Sequence, residues 1–194
     1  MGVHVTTIAY KAGIIAADSQ VTADDTKYLS ADKITIVSRN VVLACAGDVN
    51  DILLLERWFR EVDTNWYEAL NTKPKVRKTL DAILLSEGRP YTIYRDGYPE
   101  PLGHPFIAVG SGWKFAMAGM HLGLSAPDAV KLASEFDVNT NDRIKYLDVT
   151  QLQGPGKATK KARRSTARAP AASPIQTQEA GTREANTQGT RTGE

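Results

Sequence analysis

The chain has 194 residues, 42% of them hydrophobic and 24% charged, with a net charge of +2. That length gives one domain of ordinary size and leaves little room for two. No apolar run approaches the ~18 residues of a membrane-spanning helix. No basic stretch followed by an apolar one opens the chain, as it would in a secretory signal.

A single cysteine, Cys45, sits in the apolar run Val41–Ala46 and makes no internal disulfide, so a cytoplasmic location is the default expectation. A buried strand cysteine is the commoner reading of Cys45, and a nucleophilic role the rarer one. Three scattered histidines and one cysteine assemble no zinc motif, so no metal or other cofactor is expected.

The charge is divided along the chain. Residues 154–194 hold eight Lys/Arg against three Glu, and residues 1–153 hold 16 basic against 19 acidic side chains. The tail has no aromatic residue and one large aliphatic, Ile175. Such a composition buries too little apolar surface to offset the entropy of ordering, and it predicts disorder over 154–194. The cluster Lys160-Lys161-Ala162-Arg163-Arg164 is of the kind that attracts nucleic acid or an acidic partner. A solubilising extension fits it equally, and nucleic acid binding is not expected elsewhere.

In chain order, Thr6–Tyr10 and Gly13–Ala17 are short apolar runs joined by the hairpin signal Lys11-Ala12-Gly13. A polar stretch over Ser19–Asp32 reads as loop. Two strand-like runs follow, Lys33–Val37 and Val41–Ala46, and then a turn at residues 47–51. From Asp51 to Val62, the apolar residues Ile52, Leu54, Leu55, Trp58, Phe59 and Val62 recur at helical spacing. Residues 66–80 suggest a short helix broken at Pro74. Strands are expected at Asp81–Leu85, Tyr91–Arg95 and Phe106–Val109, with Asp96-Gly97 as a turn. Trp113–Leu122 resumes helical spacing. Ser125-Ala126-Pro127-Asp128 combines a capping serine, an early proline and an acid at the positive helix end, which predicts a helix to about Phe136. A final strand is expected at Ile144–Val149. Hairpin-joined strands with helices in separate blocks imply a layered α+β fold.

Three of the early segments carry chemistry. Thr6, Asp18 and Lys33 supply a hydroxyl, a carboxylate and an ammonium. A threonine hydroxyl is a weak nucleophile without a base, and a first-residue threonine has one in its own α-amine, which titrates near pH 7.7–8. A lysine beside it favours the uncharged amine and the developing alkoxide, and an aspartate holds the lysine. The plain alternative makes Thr6 and Thr7 ordinary strand residues and Asp18 the start of a turn.

Taken together, Thr6-Thr7-Ile8, Ala16-Ala17-Asp18-Ser19, Lys33-Ile34 and Ala46-Gly47 before a helix resemble the proteasome β-subunit and HslV-type peptidase family. Val109-Gly110-Ser111-Gly112 and Asp137-Val138-Asn139-Thr140 are similar to its later motifs, so the resemblance covers roughly residues 6–150. It implies a four-layer αββα sandwich of two antiparallel sheets flanked by helices. It also implies a threonine-type endopeptidase in a ring-shaped homo-oligomer, acting on unfolded protein or peptide beside a separate ATPase unfoldase. Thr6 becomes the nucleophile, Asp18 orients Lys33, Lys33 lowers the proton affinity of Thr6, and the Gly47 N–H faces the oxyanion. Ser111, Asp137 and Thr140 support the threonine amine.

The alternative is a non-catalytic scaffold subunit of the same fold. Residues 1–5 precede Thr6, and they read as a removed leader or as a misassigned start, with initiation at Val5. Where the family commonly shows Gly-Gly, this chain has Gly47-Asp48. No phosphate-binding loop is present, so any ATP use belongs to a partner.

Overall fold

A computed structural model of the chain describes residues 3–4, 6–23, 26–28, 31–77 and 79–152. The disorder expected of 154–194, and much of the reading of 1–5, lie outside these residues. Twelve strands and three α-helices are described. In chain order they begin with β1 (Val3–His4), β2 (Thr7–Lys11), β3 (Ile14–Asp18), β4 (Val21–Ala23), β5 (Thr26–Tyr28), β6 (Ile34–Ser38) and β7 (Val41–Asp48). Then come α1 (Val49–Val62), β8 (Leu80–Ser86), β9 (Arg89–Tyr94), β10 (Glu100–Pro101), β11 (Phe106–Gly110), α2 (Trp113–His121), α3 (Ala126–Ser134) and β12 (Ile144–Asp148).

Two antiparallel sheets form. The smaller runs β11-β2-β3-β12. The larger runs β10-β9-β8-β7-β1-β4-β5, with β6 also paired to β7. Strand alternation builds three apolar layers from these sheets. Ile8, Ile15, Val42, Ala44 and Ile83 fill the space between the sheets. The opposite parity of the large sheet (Leu43, Cys45, Leu84) meets Leu55, Trp58 and Phe59 of α1. The opposite parity of the small sheet presents Ala9, Ala16 and Ala108 to Ala116, Ala129 and Ala133 of α2 and α3. Alanine on both sides of that last layer lets helices and sheet approach closely. The result is the expected αββα sandwich.

Several local expectations change. The polar stretch over Ser19–Asp32 contains β4 and β5, paired antiparallel from Val21↔Tyr28 to Ala23↔Thr26. Among the described residues of 66–80 there is no α-helix: 3-10 turns at Asp63–Tyr67 and Leu70–Thr72 give way to chain without regular secondary structure before β8. β7 runs straight through the expected turn to Asp48, which caps α1 by accepting from the Asn50 N–H at 3.0 Å. α3 ends at Ser134 rather than near Phe136.

Candidate active site

Two hairpin ends and one loop converge on Thr6. Thr6 is fully buried, one residue before β2, and its carbonyl accepts from the Ser111 N–H at 2.7 Å. That contact fixes the residue after β11. Gly110 makes it possible: at φ +92° it lies so close that a Cβ would fall 1.8 Å from the Thr6 carbonyl oxygen. Strand parity sends the Thr6 side chain between the sheets, as it does Ile8, where the Lys33 ammonium donates to Thr6 Oγ1. Thr6 Oγ1 in turn donates to Asp18 Oδ1.

Lys33 and Asp18 are directly paired at 2.9 Å, with side chains 2% and 0% exposed. A buried ion pair is costly unless its remaining hydrogen-bonding capacity is filled. Here it is. Asp18 Oδ1 also accepts from the Thr7 N–H at 2.9 Å, and Oδ2 accepts from the N–H groups of Gln20 at 2.8 Å and Asn141 at 3.3 Å. Burial pulls Lys33 below the ordinary lysine pKa, and the Asp18 charge and hydrogen bond oppose that pull.

A second network lies on the helix side of the small sheet. Asp137 Oδ2 accepts from Ser111 Oγ at 2.5 Å and from Thr140 Oγ1 at 2.6 Å. With its proton committed there, Thr140 Oγ1 accepts from Thr7 Oγ1 at 2.7 Å. Thr7 Oγ1 accepts from the Gly112 N–H at 3.1 Å. Ser111, Asp137 and Thr140 are thus brought together, and among the described residues their link to Thr6 runs through its carbonyl.

Gly47 stands apart. It is the last residue but one of β7, at φ +137°, and a Cβ there would meet the Thr79 carbonyl oxygen at 2.1 Å. Its partner across the strand edge is His4 of β1, while Val3 pairs with Asp48 on one side and Thr22 on the other. Val3 and His4 therefore lie as a short strand between β4 and the end of β7.

Thr7, Gln20 and Asn141 are site residues that sequence reading missed. Thr7 alone had a signal, since adjacent strand threonines face opposite ways. Asn141 reaches Asp18 across 123 positions, a contact that no local pattern announces.

Two antiparallel sheets flanked by helices make the αββα sandwich of the N-terminal nucleophile hydrolase fold. The family model described as "Proteasome subunit" matches residues 2–94. Among solved structures, the chain is similar to eukaryotic HslV from Trypanosoma brucei, at 24% identity and a TM-score of 0.57, covering 74% of this chain and 97% of that one. It is also similar to BPH of Thiobacillus denitrificans in complex with epoxomicin, at 18% identity and a TM-score of 0.58, covering 74% and 96%. No curated protein sequence matches it significantly. The family model over the first 94 residues and the fold shared with these structures support a proteasome β-subunit/HslV-type family for this chain.

Proposed function

We propose that the chain is a threonine-type endopeptidase, working in a ring of its own copies with Thr6 as the N-terminal nucleophile. The observation that supports this best is the Thr6 hydroxyl, fully buried and bonded at once to the Lys33 ammonium and the Asp18 carboxylate. Nothing in an ordinary strand end calls for that environment.

In this reading, residues 1–5 are removed, or synthesis begins at Val5 and the initiating residue is removed. The freed α-amine of Thr6 takes the proton from Oγ1 as the oxygen attacks a peptide carbonyl carbon. The positive charge of Lys33 favours both the neutral amine and the alkoxide. The oxyanion faces the Gly47 N–H, a kind of donor whose loss typically costs ~10²–10³ in rate. Collapse breaks the C–N bond, the leaving amine takes the proton from the Thr6 ammonium, and an ester remains on Oγ1. Water, deprotonated by the same amine, hydrolyses it. A separate ATPase feeds unfolded substrate into the ring.

One observation favours the scaffold alternative: β1 is paired into the large sheet on both sides, so an unprocessed N-terminus has a place to stay. Intact mass separates the two readings. The peptidase begins at Thr6; the scaffold retains residues 1–5. Thr6→Ala is expected to abolish peptide hydrolysis and labelling by threonine-directed electrophiles while leaving the melting temperature near that of the parent. Labelling that survives the change would move the nucleophile to Thr7 or Cys45.

A further inference from the structure

We propose that the outer face of the large sheet carries a binding site for a small zwitterion, with a methylated ammonium at one end and a carboxylate or phosphate at the other. The site is independent of the peptidase reading. A cavity of about 310 Å³ lies at the β8–β9 hairpin, and none of its lining residues belongs to the candidate active site. Strand pairing puts Ser86, Arg89 and Tyr91 on the same face as Leu84, the face that meets α1. Past the end of α1, the turn at Asp63–Tyr67 lies over that face, where Trp66 donates its indole N–H to Ser86 Oγ at 3.1 Å.

Three aromatic rings line the cavity. Trp66, only 6% exposed and tied to Ser86, is the fixed wall. The Tyr91 ring centroid lies 5.1 Å from it at 75°, and that of Tyr67 5.9 Å from it at 77°. Rings set nearly at right angles around one space form a box rather than a stack. Pro101, paired with Tyr91 across the sheet edge, helps to close it. Aromatic faces attract cations, and a methylated ammonium suits such a box because it is bulky and weakly hydrated.

Charge defines the rest of the ligand. Glu87 and Arg89 both line the cavity, and among the described residues neither makes an ion pair. Glu87-Gly88 is the hairpin turn, with φ of +50° and +75°. Paired positive φ values favour Asn-Gly or Asp-Gly, so the chain keeps a longer carboxylate here against backbone preference. That carboxylate strengthens the attraction for a cation, whereas Arg89 would repel a ligand that was cationic only. An ammonium and an anion in one molecule answer both groups. The volume is at the small end of ligand cavities, about 300–1,000 Å³, and fits a compact molecule.

The test is ligand-observed NMR, with calorimetric titration, of the full-length chain and glycine betaine, phosphocholine, choline or acetate. Both zwitterions are expected to bind, choline about tenfold more weakly, and acetate not at all. Tyr67→Ala and Glu87→Gln, at exposed positions where the fold tolerates change, are expected to weaken betaine binding about tenfold. Arg89→Gln is expected to reduce betaine to the level of choline and to leave choline unaltered. Vesicles of phosphatidylcholine identify the source: sedimentation of the parent with them, lost in Tyr67→Ala, supports a lipid headgroup as occupant, and no sedimentation supports the free zwitterion. Absence of saturation transfer to the N-methyl protons of either zwitterion would overturn the site, as would an affinity unmoved by all three variants. Choline bound as tightly as betaine would overturn the part given to Arg89 and with it the zwitterion.

Discussion

Thr6 Oγ1 sits between a donor and an acceptor of opposite charge, and the donor has been made expensive to keep charged. Burial lowers the Lys33 pKa from its ordinary 10.5, with Asp18 only partly restoring it. The sign of the consequence follows. The folded chain holds the Lys33 proton less tightly than the unfolded chain, so this lysine's contribution to stability rises with pH between its lowered folded value and 10.5. Catalysis draws on the same group differently. The proposed mechanism needs Lys33 charged and the Thr6 amine neutral, which gives a bell-shaped profile. The acid limb follows the amine, whose ordinary range is about 7.7–8 and which Lys33 shifts downward. The alkaline limb follows Lys33 and falls below pH 10.5. Measuring kcat/KM against pH checks this; activity that stays level through pH 10.5 would show that the Lys33 charge is not used.

At the level of elements, single side chains decide where helices end and how they meet the sheets. Lys11, at the close of β2, sends its ammonium to the carbonyls of Met120 at 2.9 Å and Leu124 at 2.8 Å and lies 5.5 Å from the Phe106 ring centroid. A helix end leaves carbonyls without intrahelical partners, and a cation there meets both their hydrogen-bonding capacity and the helix dipole. Lys11→Met keeps the stem and removes the donor. It is expected to cost about 1–2 kcal/mol and to lower the melting temperature by about 2–8 °C, as calorimetry would show.

The same scale explains what could be read from sequence. α1 was legible because its apolar spacing is local, and so were the β2–β3 hairpin and the Ser125 cap. β4 and β5 were not, because each spans three residues and their pairing is completed by β1 and thus by β7. The 3-10 turns at 63–72 replaced a helix where Trp58 and Trp66 spend their indole N–H groups on Thr72 and Ser86, tying the segment down residue by residue. Thr6, Asp18 and Lys33 were legible as a set because each closes or opens a recognisable strand. Thr7 was obscured by its ordinary strand setting, and its bond to Thr140 spans 133 positions.

Across the whole molecule, the candidate site is divided between the two sheets. Asp18 ends β3, and Thr6 and Ser111 flank β2 and β11, all of the small sheet, whereas Lys33 flanks β6 and Gly47 lies in β7 of the large one. The distance from ammonium to hydroxyl is therefore set by the inter-sheet layer of Ile8, Ile15, Val42, Ala44 and Ile83. Neighbours on β8 allow this to be tested. Ile83 and Leu84 are both fully buried, but Ile83 faces the small sheet and Leu84 faces α1. Each residue changed to Ala is expected to lose about 2–5 kcal/mol, lowering the melting temperature by roughly 4–20 °C. Stability alone thus does not distinguish them. Turnover does: well below either melting point, Ile83→Ala is expected to depress kcat by about tenfold, since small displacements of reacting groups are costly, and Leu84→Ala to depress it much less. Equal losses of kcat in the two variants would mean that the spacing of the sheets does not govern the meeting of Lys33 with Thr6.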